Sequence, residues 1–138
     1  MMHNTQASKL AGIQKKITTS LIAFKKEQLK KLQKKSLIKI ESKKLEVFLK
    51  EENQTIKGII FFQNGYFYIK NSSFTTSKEK KKISKNSFLL HFNCSVPFAL
   101  GRYLLAKESL SCSLLTKNKE YNATLLFRKD AFFIEIEG

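Results

Sequence analysis

The residues best suited to catalysis or metal binding are few and scattered along this chain of 138 residues. His3 and His91 have no partner at catalytic or metal-binding spacing, and Cys94 and Cys112 form no CxxC pair. The chain also has no glycine-rich phosphate loop and no GxSxG nucleophile elbow. The sequence therefore predicts a protein that is not an enzyme, with no catalytic residue, no cofactor and no metal site.

Clusters of lysine are the first feature that suits binding. Lysine and arginine total 26 against 11 acidic residues, which gives a net charge of +15, and only Arg102 and Arg128 are arginines. Lysine clusters attract phosphate by releasing counterions, so such binding is salt-sensitive and poorly specific for sequence. The lysines expected to bind RNA or another polyanion are Lys15, Lys16, Lys25, Lys26, Lys30, Lys31, Lys78, Lys80, Lys81, Lys82 and Lys85.

The charge is concentrated toward the start of the chain. Residues 1–50 carry +10, residues 51–90 carry +4, and residues 91–138 carry only +1. This asymmetry favours a polyanionic partner for the first half. Arginine is scarce, although its planar fork suits phosphate and bases best. A second interpretation is therefore a lysine-rich surface that is merely solvated.

An aromatic hairpin at Gly58–Lys70 is the second feature that suits binding. Its Tyr66 and Tyr68, beside Lys57 and Lys70, are candidates for stacking on unpaired bases. In the alternative interpretation, alternate aromatic side chains pack in a core and the others fill an interface between copies of the chain. That alternative predicts a homo-oligomer.

The periodicity predicts one long helix followed by strands that position these residues. From Ala7 to about Lys35, apolar residues recur every three or four positions, which is typical of an amphipathic helix. Such a helix packs on the following domain, pairs with a copy of itself, or lies on an anionic membrane. After Ser36 the period becomes two, and Asn64–Gly65 favours a type I′ hairpin turn.

We therefore expect an α+β fold, with a basic helical arm at 1–41 and a β-rich domain of six or seven strands at 42–138. Residues 37–41 fit a short strand or a fraying helix end, and Phe98–Lys107 fits a short helix or a loop that leads into a strand. Residues 72–85 are expected to form an exposed basic loop. Strands are predicted at Leu45–Lys50, Thr55–Phe62, Tyr66–Lys70, Ser87–Phe92, Ser109–Leu115, Tyr121–Phe127 and Phe132–Glu137.

Residues 45–71 resemble the first motif of Sm-like proteins, especially the Hfq branch. The resemblance is carried by the alternating segment from Leu45, by Gly58 inside the next strand, and by Lys70–Asn71 at the end of the third. It implies a small, strongly bent antiparallel β-barrel over 45–92 and RNA binding by an oligomer. The strands predicted over 93–138 are an extension that has no counterpart in the family. A glycine inside a strand permits the curvature that such a barrel requires.

Two departures from that family leave the function open. Gln63 stands where the family usually has Asp, and Lys85-Asn86-Ser87 stands in place of a Tyr-Lys-His signature. A long basic helix with an Sm-like segment is also similar to spirochaete Hfq-like proteins associated with flagellar assembly. The hypotheses are thus RNA or polyanion binding, an assembly role in a flagellar motor or secretion apparatus, and a ribosomal or other RNP protein. No signal peptide is predicted, so we expect a cytoplasmic location, including the cytoplasmic face of a membrane-associated complex.

Overall fold

Antiparallel strands make up almost all of the structure. The computed structural model describes residues 14–33, 35–40, 42–75 and 82–137. The only helical segments in these ranges are α1, Lys26–Leu29, and a 3₁₀ turn, Lys30–Gln33. The strands are β1 Gln14–Thr19, β2 Ile22–Ala23, β3 Ser36–Ile40, β4 Leu45–Glu51, β5 Gln54–Gln63, β6 Tyr66–Thr75, β7 Ser87–Ser95, β8 Gly101–Lys107, β9 Ser109–Leu115, β10 Glu120–Arg128 and β11 Ala131–Ile136.

The strands form one sheet in the order β3-β11-β10-β9-β7-β1-β4-β5-β6-β8, and β2 pairs with β7 off this path. Every pairing is antiparallel. The predicted α+β class is therefore wrong, and the fold is all-β. β1 and β3, which come from the first 41 residues, pair directly with strands of the region 42–138.

The long N-terminal helix is replaced by β1, β2, α1 and the 3₁₀ turn; residues 7–13 of the prediction lie outside the described residues. β1 lies between β4 and β7, where Ile17 opposes Leu49 on one side and Phe92 on the other. Ile17 and Thr19 are buried while Lys16 is exposed, which is the alternation of a strand. Ile17 also fits the apolar stripe of a helix, so its position alone did not distinguish the two structures. The backbone hydrogen bonds that β1 makes to β4 and β7 outweigh the weak helix propensity of residues 14–19.

None of the three placements proposed for that helix applies. In the described ranges, no helix has the length and apolar content needed to cross a bilayer.

Most strands predicted after Ser36 are confirmed within a few residues. Residues 36–40 form a strand rather than a helix end, and residues 101–107 form a strand rather than a helix. Asn64 and Gly65 have φ values of 53° and 84°, the positive pair that a type I′ turn requires. β6 continues to Thr75, into the predicted basic loop, because it pairs with β5 over its whole length.

The sheet folds back on itself around a single core. The ring centroids of Phe67 on β6 and Phe132 on β11 are 6.3 Å apart, and those of Phe62 on β5 and Phe127 on β10 are 5.2 Å apart. β6 and β11 are seven steps apart in the strand order, which in a flat sheet would be roughly 34 Å at about 4.8 Å per step. These contacts therefore require a strongly curved sheet whose two halves face each other.

A corner at Glu108 connects the two halves. This single residue joins β8 to β9 and has a φ of 64°. Its backbone N–H donates to the carbonyl oxygen of Gly65 at 2.9 Å. The Asn64–Gly65 turn and the β8–β9 corner thus hold each other in place at one end of β5, β6 and β8.

Gly58 lies at an irregularity between β5 and β6, where the register shifts between Lys57 and Gly58. A Cβ atom on Gly58 would lie 3.0 Å from Oδ1 of Asn71 and 3.1 Å from the carbonyl oxygen of Lys70. Asn71 is buried, and its Nδ2 donates to the carbonyl oxygen of Ala99 at 2.9 Å. Gly58 therefore allows the two strands to approach closely at a bend, as expected for a glycine inside a strand.

Candidate functional site

Four side chains form a continuous surface on the outer face of β5, β6 and β8; we call it the aromatic–arginine patch. It consists of Phe61, Tyr66, Tyr68 and Arg102. The rings of Phe61 and Tyr68 stack with centroids 5.5 Å apart and an interplanar angle of 20°, and the centroids of Tyr66 and Tyr68 are 6.5 Å apart. All three rings are half-buried, so part of each remains accessible.

Strand pairing places these residues together. Phe61 opposes Tyr68, and Tyr66 opposes Gln63 beside the turn. Because side chains alternate along a strand, the neighbours Phe62 and Phe67 face the opposite side and pack in the core. One hairpin therefore supplies both a hydrophobic inner face and an aromatic outer face.

Arg102 covers the centre of the patch. Its guanidinium carbon lies 4.3 Å from the ring centroid of Tyr68 and 5.0 Å from that of Phe61. Its Nη2 donates to Oε1 of Gln63 at 2.6 Å. The aromatic faces attract the cation, and the hydrogen bond to Gln63 fixes its position. This bond uses one of the five N–H donors of the guanidinium group.

The charge around the patch is positive. β5, β6 and β8 contain Lys57, Lys70, Arg102 and Lys107 and no Asp or Glu. Lys70 opposes Arg102, and Nζ of Lys107 lies 6.0 Å from the ring centroid of Tyr66. The patch can thus offer flat apolar faces and cations to the same ligand.

Carboxylates lie only at the borders of these strands. Glu46 and Glu51 on β4 oppose Ile59 and Gln54 of β5, and Glu108 follows β8. None of them lies on the three strands that carry the patch. The charged side chains beside the rings are therefore the cations Lys70, Arg102 and Lys107 of β6 and β8.

The predicted tyrosines are brought together, but the predicted lysines are spread over the molecule. Lys16 is exposed on β1, and Lys57 is exposed on β5, four residues from Phe61 and so about 14 Å along the strand. The structure describes the backbone of Lys15 and Lys31 but not their side chains. Lys25, Lys26 and Lys30 are exposed at α1, Lys82 and Lys85 are exposed before β7, and Lys78, Lys80 and Lys81 lie outside the described residues.

Arg102, Gln63 and Lys107 were missed as site residues by the sequence reasoning. β8 reaches the hairpin only through its pairing with β6, which no local period or turn signal indicates. Phe61 belongs to the predicted aromatic hairpin, but its stacking on Tyr68 depends on the strand register. The alternation Arg102–Tyr103–Leu104 is the one signal of an outward-facing Arg102, and it requires knowing that this segment is a strand.

The other groups that could react chemically, among the described residues, are two partly buried thiols and His91. Burial raises the pKa of the Cys94 thiol to about 11 and that of the Cys112 thiol to about 12, which disfavours the nucleophilic thiolate. Burial, followed by the positive charge of Lys16, lowers the pKa of His91. In the described part of the chain, no group of three or more His, Cys, Asp or Glu residues is placed to hold a metal ion.

No protein-family model matches the chain, and no curated protein matches it significantly. The resemblance to Sm-like proteins therefore stays a prediction that rests on residues 45–71.

Proposed function

We propose that this protein binds single-stranded RNA or another single-stranded polynucleotide on the outer face of β5, β6 and β8. The observation that supports this most directly is the position of Arg102 over the stacked pair Phe61 and Tyr68. Half-buried aromatic rings offer stacking surfaces for unpaired bases, and the gain is about 1–3 kcal/mol per base. A stacked guanidinium adds both a flat surface and a charge.

The cations of the patch supply the phosphate contacts. Lys70, Arg102 and Lys107 lie beside the rings, so a strand whose bases stack there carries its backbone past three positive charges. The exposed lysines elsewhere add diffuse attraction that speeds encounter with a polyanion but does not orient it. The rings therefore select unpaired bases, and the charges provide most of the affinity.

Binding of a fluorescein-labelled single-stranded RNA, followed by anisotropy across a salt series, tests this function. We expect the logarithm of the affinity to fall linearly with the logarithm of the salt concentration. A single-stranded DNA of the same sequence shows whether the 2′-hydroxyl contributes, and a duplex RNA should bind more weakly because its bases are not available for stacking.

Substitution of the tyrosines separates stacking from general charge attraction. The double variant Tyr66→Leu, Tyr68→Leu keeps the net charge, so its affinity for single-stranded RNA should fall about tenfold or more. Tyr121→Leu is the matched control, because Tyr121 on β10 is also half-buried with a lysine, Lys119, 4.9 Å from its ring centroid. Equal binding of the double variant and the control would exclude the patch as the binding site.

A second proposal, a role as a component of a larger assembly, is supported by exposed apolar side chains. Phe74, Leu100 and Leu104 are 48%, 49% and 56% exposed. Large exposed apolar residues favour protein interfaces, including one between copies of the chain. Sedimentation at increasing concentration tests self-association, and Leu104→Gln should reduce it. A monomer at all concentrations, together with RNA binding through the tyrosines, favours the first proposal.

A further inference from the structure

We infer a second binding site, for a small amphipathic anion such as a medium-chain carboxylate, in a cavity between the β1–β2 connection, α1, β3 and the start of β4. The cavity has a volume of about 380 Å³. Pockets for small ligands in proteins usually measure about 300–1,000 Å³. Its lining shares no residue with the aromatic–arginine patch, so it is a separate site on the molecule.

The floor of this cavity is apolar. Phe88, Ile38 and Leu45 line it and are almost fully buried. Behind Phe88 lies Phe24, with ring centroids 4.5 Å apart, so the floor belongs to the packed core. A hydrocarbon group resting on this floor would be removed from water, which favours binding in proportion to the apolar area covered.

The rim of the cavity is positively charged. Lys25, Lys39 and Lys44 line it, and Glu46 is the only carboxylate among the described lining residues. Oε1 of Glu46 accepts a hydrogen bond from the hydroxyl of Ser20 at 2.8 Å. Lys39 and Lys44 are exposed lysines, and the one carboxylate beside them already accepts this bond, which favours an anionic head group over a cationic one.

The walls of the cavity are held together by a buried amide. Gln28 of α1 accepts the backbone N–H of Lys25 through Oε1 at 2.9 Å and donates through Nε2 to the carbonyl oxygen of Lys39 at 3.0 Å. This side chain therefore links α1 to β3 across one side of the cavity. A pocket fixed in this way needs little ordering when a ligand binds, which favours affinity.

Hydrocarbon floor and lysine rim together specify the ligand class. A carboxylate with a chain of several methylene groups places its tail over Phe88 and its head beside Lys39 and Lys44. Acetate has too little apolar surface for the floor, and octanol has no charge for the rim. Both should bind more weakly than octanoate.

Titration of the isotopically labelled protein with sodium octanoate, followed by methyl NMR, tests the site. We expect saturable shifts of the methyl groups of Ile38 and Leu45, and a dissociation constant at least fivefold lower than that of octanol or acetate. Lys39→Gln and Lys44→Gln should each weaken octanoate binding about two- to fivefold, the size of the loss of one partly exposed ion pair. Lys43→Gln is the matched control, because Lys43 is exposed and adjacent to Lys44 but outside the described lining.

Three results would overturn the proposal: no saturable shift at the cavity methyl groups, saturable shifts only at the methyl groups of the exposed residues Leu100 and Leu104, or equal loss in Lys43→Gln and Lys44→Gln. If octanol binds as tightly as octanoate, the site has no preference for an anionic head group, and that part of the proposal is wrong. Ala23→Phe supplies an independent check, since Ala23 is exposed and lines the cavity. Its larger ring should block octanoate while leaving binding of single-stranded RNA unchanged.

Discussion

The guanidinium carbon of Arg102 lies 4.3 Å from the ring centroid of Tyr68, although Arg102 lies on β8 and Tyr68 on β6, with β7 between them in the sequence. Gln63, on the neighbouring strand, accepts a hydrogen bond from the same guanidinium. Three strands therefore converge on one cation. Because that cation lies over aromatic faces, its contribution to ligand binding depends on its shape as well as its charge.

Substitutions of Arg102 should distinguish these two contributions. Arg102→Lys keeps the charge but loses the planar fork, so we expect a loss of about three- to tenfold in affinity for single-stranded RNA. Arg102→Ala should lose more and should reduce the salt dependence by about one phosphate contact. The measurement is anisotropy at several salt concentrations. Arg128→Ala, at the exposed β10–β11 turn, is the control, and an equal loss there would indicate general charge attraction only.

The close approach of β5 and β6 at Gly58 makes this position sensitive to a single added methyl group. In Gly58→Ala, the Cβ atom would meet Oδ1 of Asn71 and the carbonyl oxygen of Lys70 at 3.0–3.1 Å. We expect the free energy of unfolding to fall by about 1–3 kcal/mol, the usual cost of overpacking. Urea unfolding followed by circular dichroism measures it.

Gly65→Ala is the comparison for that substitution, because the two glycines differ in their surroundings. Nothing lies within 4 Å of a Cβ atom on Gly65, so its cost should come from the positive φ of 84° alone and amount to about 1 kcal/mol. A Gly58→Ala variant that is as stable as the original protein would contradict the close approach of the strands.

Local signals in the sequence predicted the hairpins well. Asn64–Gly65 specified its own turn because few other residues adopt two successive positive φ angles. The alternation from Leu45 to Leu49 specified β4 because buried and exposed side chains follow one another along a half-buried strand. Such signals depend only on residues that are close in the sequence, so they can be read without knowing the fold.

The N-terminal segment and the site could not be predicted in the same way. Ile17, Leu21 and Phe24 fit a helical period, and only the two free strand edges of β4 and β7 made a strand more favourable. Likewise, Arg102 reaches Tyr68 through the pairing of β8 with β6, whose paired residues are thirty or more positions apart in the sequence. Pairings between distant segments leave no periodic trace in the sequence of either strand.

The stacking of Phe62 on Phe127 should couple the two halves of the folded sheet. Their ring centroids are 5.2 Å apart with an interplanar angle of 22°. In a double-mutant cycle with Phe62→Leu and Phe127→Leu, we expect a coupling free energy of about 0.5–1.5 kcal/mol beyond the sum of lost contacts. Urea unfolding of the four proteins measures it, and purely additive losses would contradict direct ring contact.

Burial of the Cys112 thiol should make stability fall at high pH. Its pKa is raised from 9.0 to about 12, so the folded protein holds this proton more tightly than the unfolded chain does. The stability is therefore fully present below pH 9 and decreases as the pH rises toward 12. At about pH 10, we expect the loss from this group to be about 1 kcal/mol.

Comparison with Cys112→Ala isolates that loss from the titration of lysine and tyrosine. The decrease in unfolding free energy between about pH 8 and about pH 10, measured with urea, should be smaller in Cys112→Ala than in the original protein. Because the thiolate is the reactive form, Cys112 should also react with a disulfide reagent more slowly than Cys94, whose pKa is raised only to about 11. Rapid modification of Cys112 in the folded protein, with no change in the pH dependence on its replacement, would show that this thiol is not buried as the structure places it.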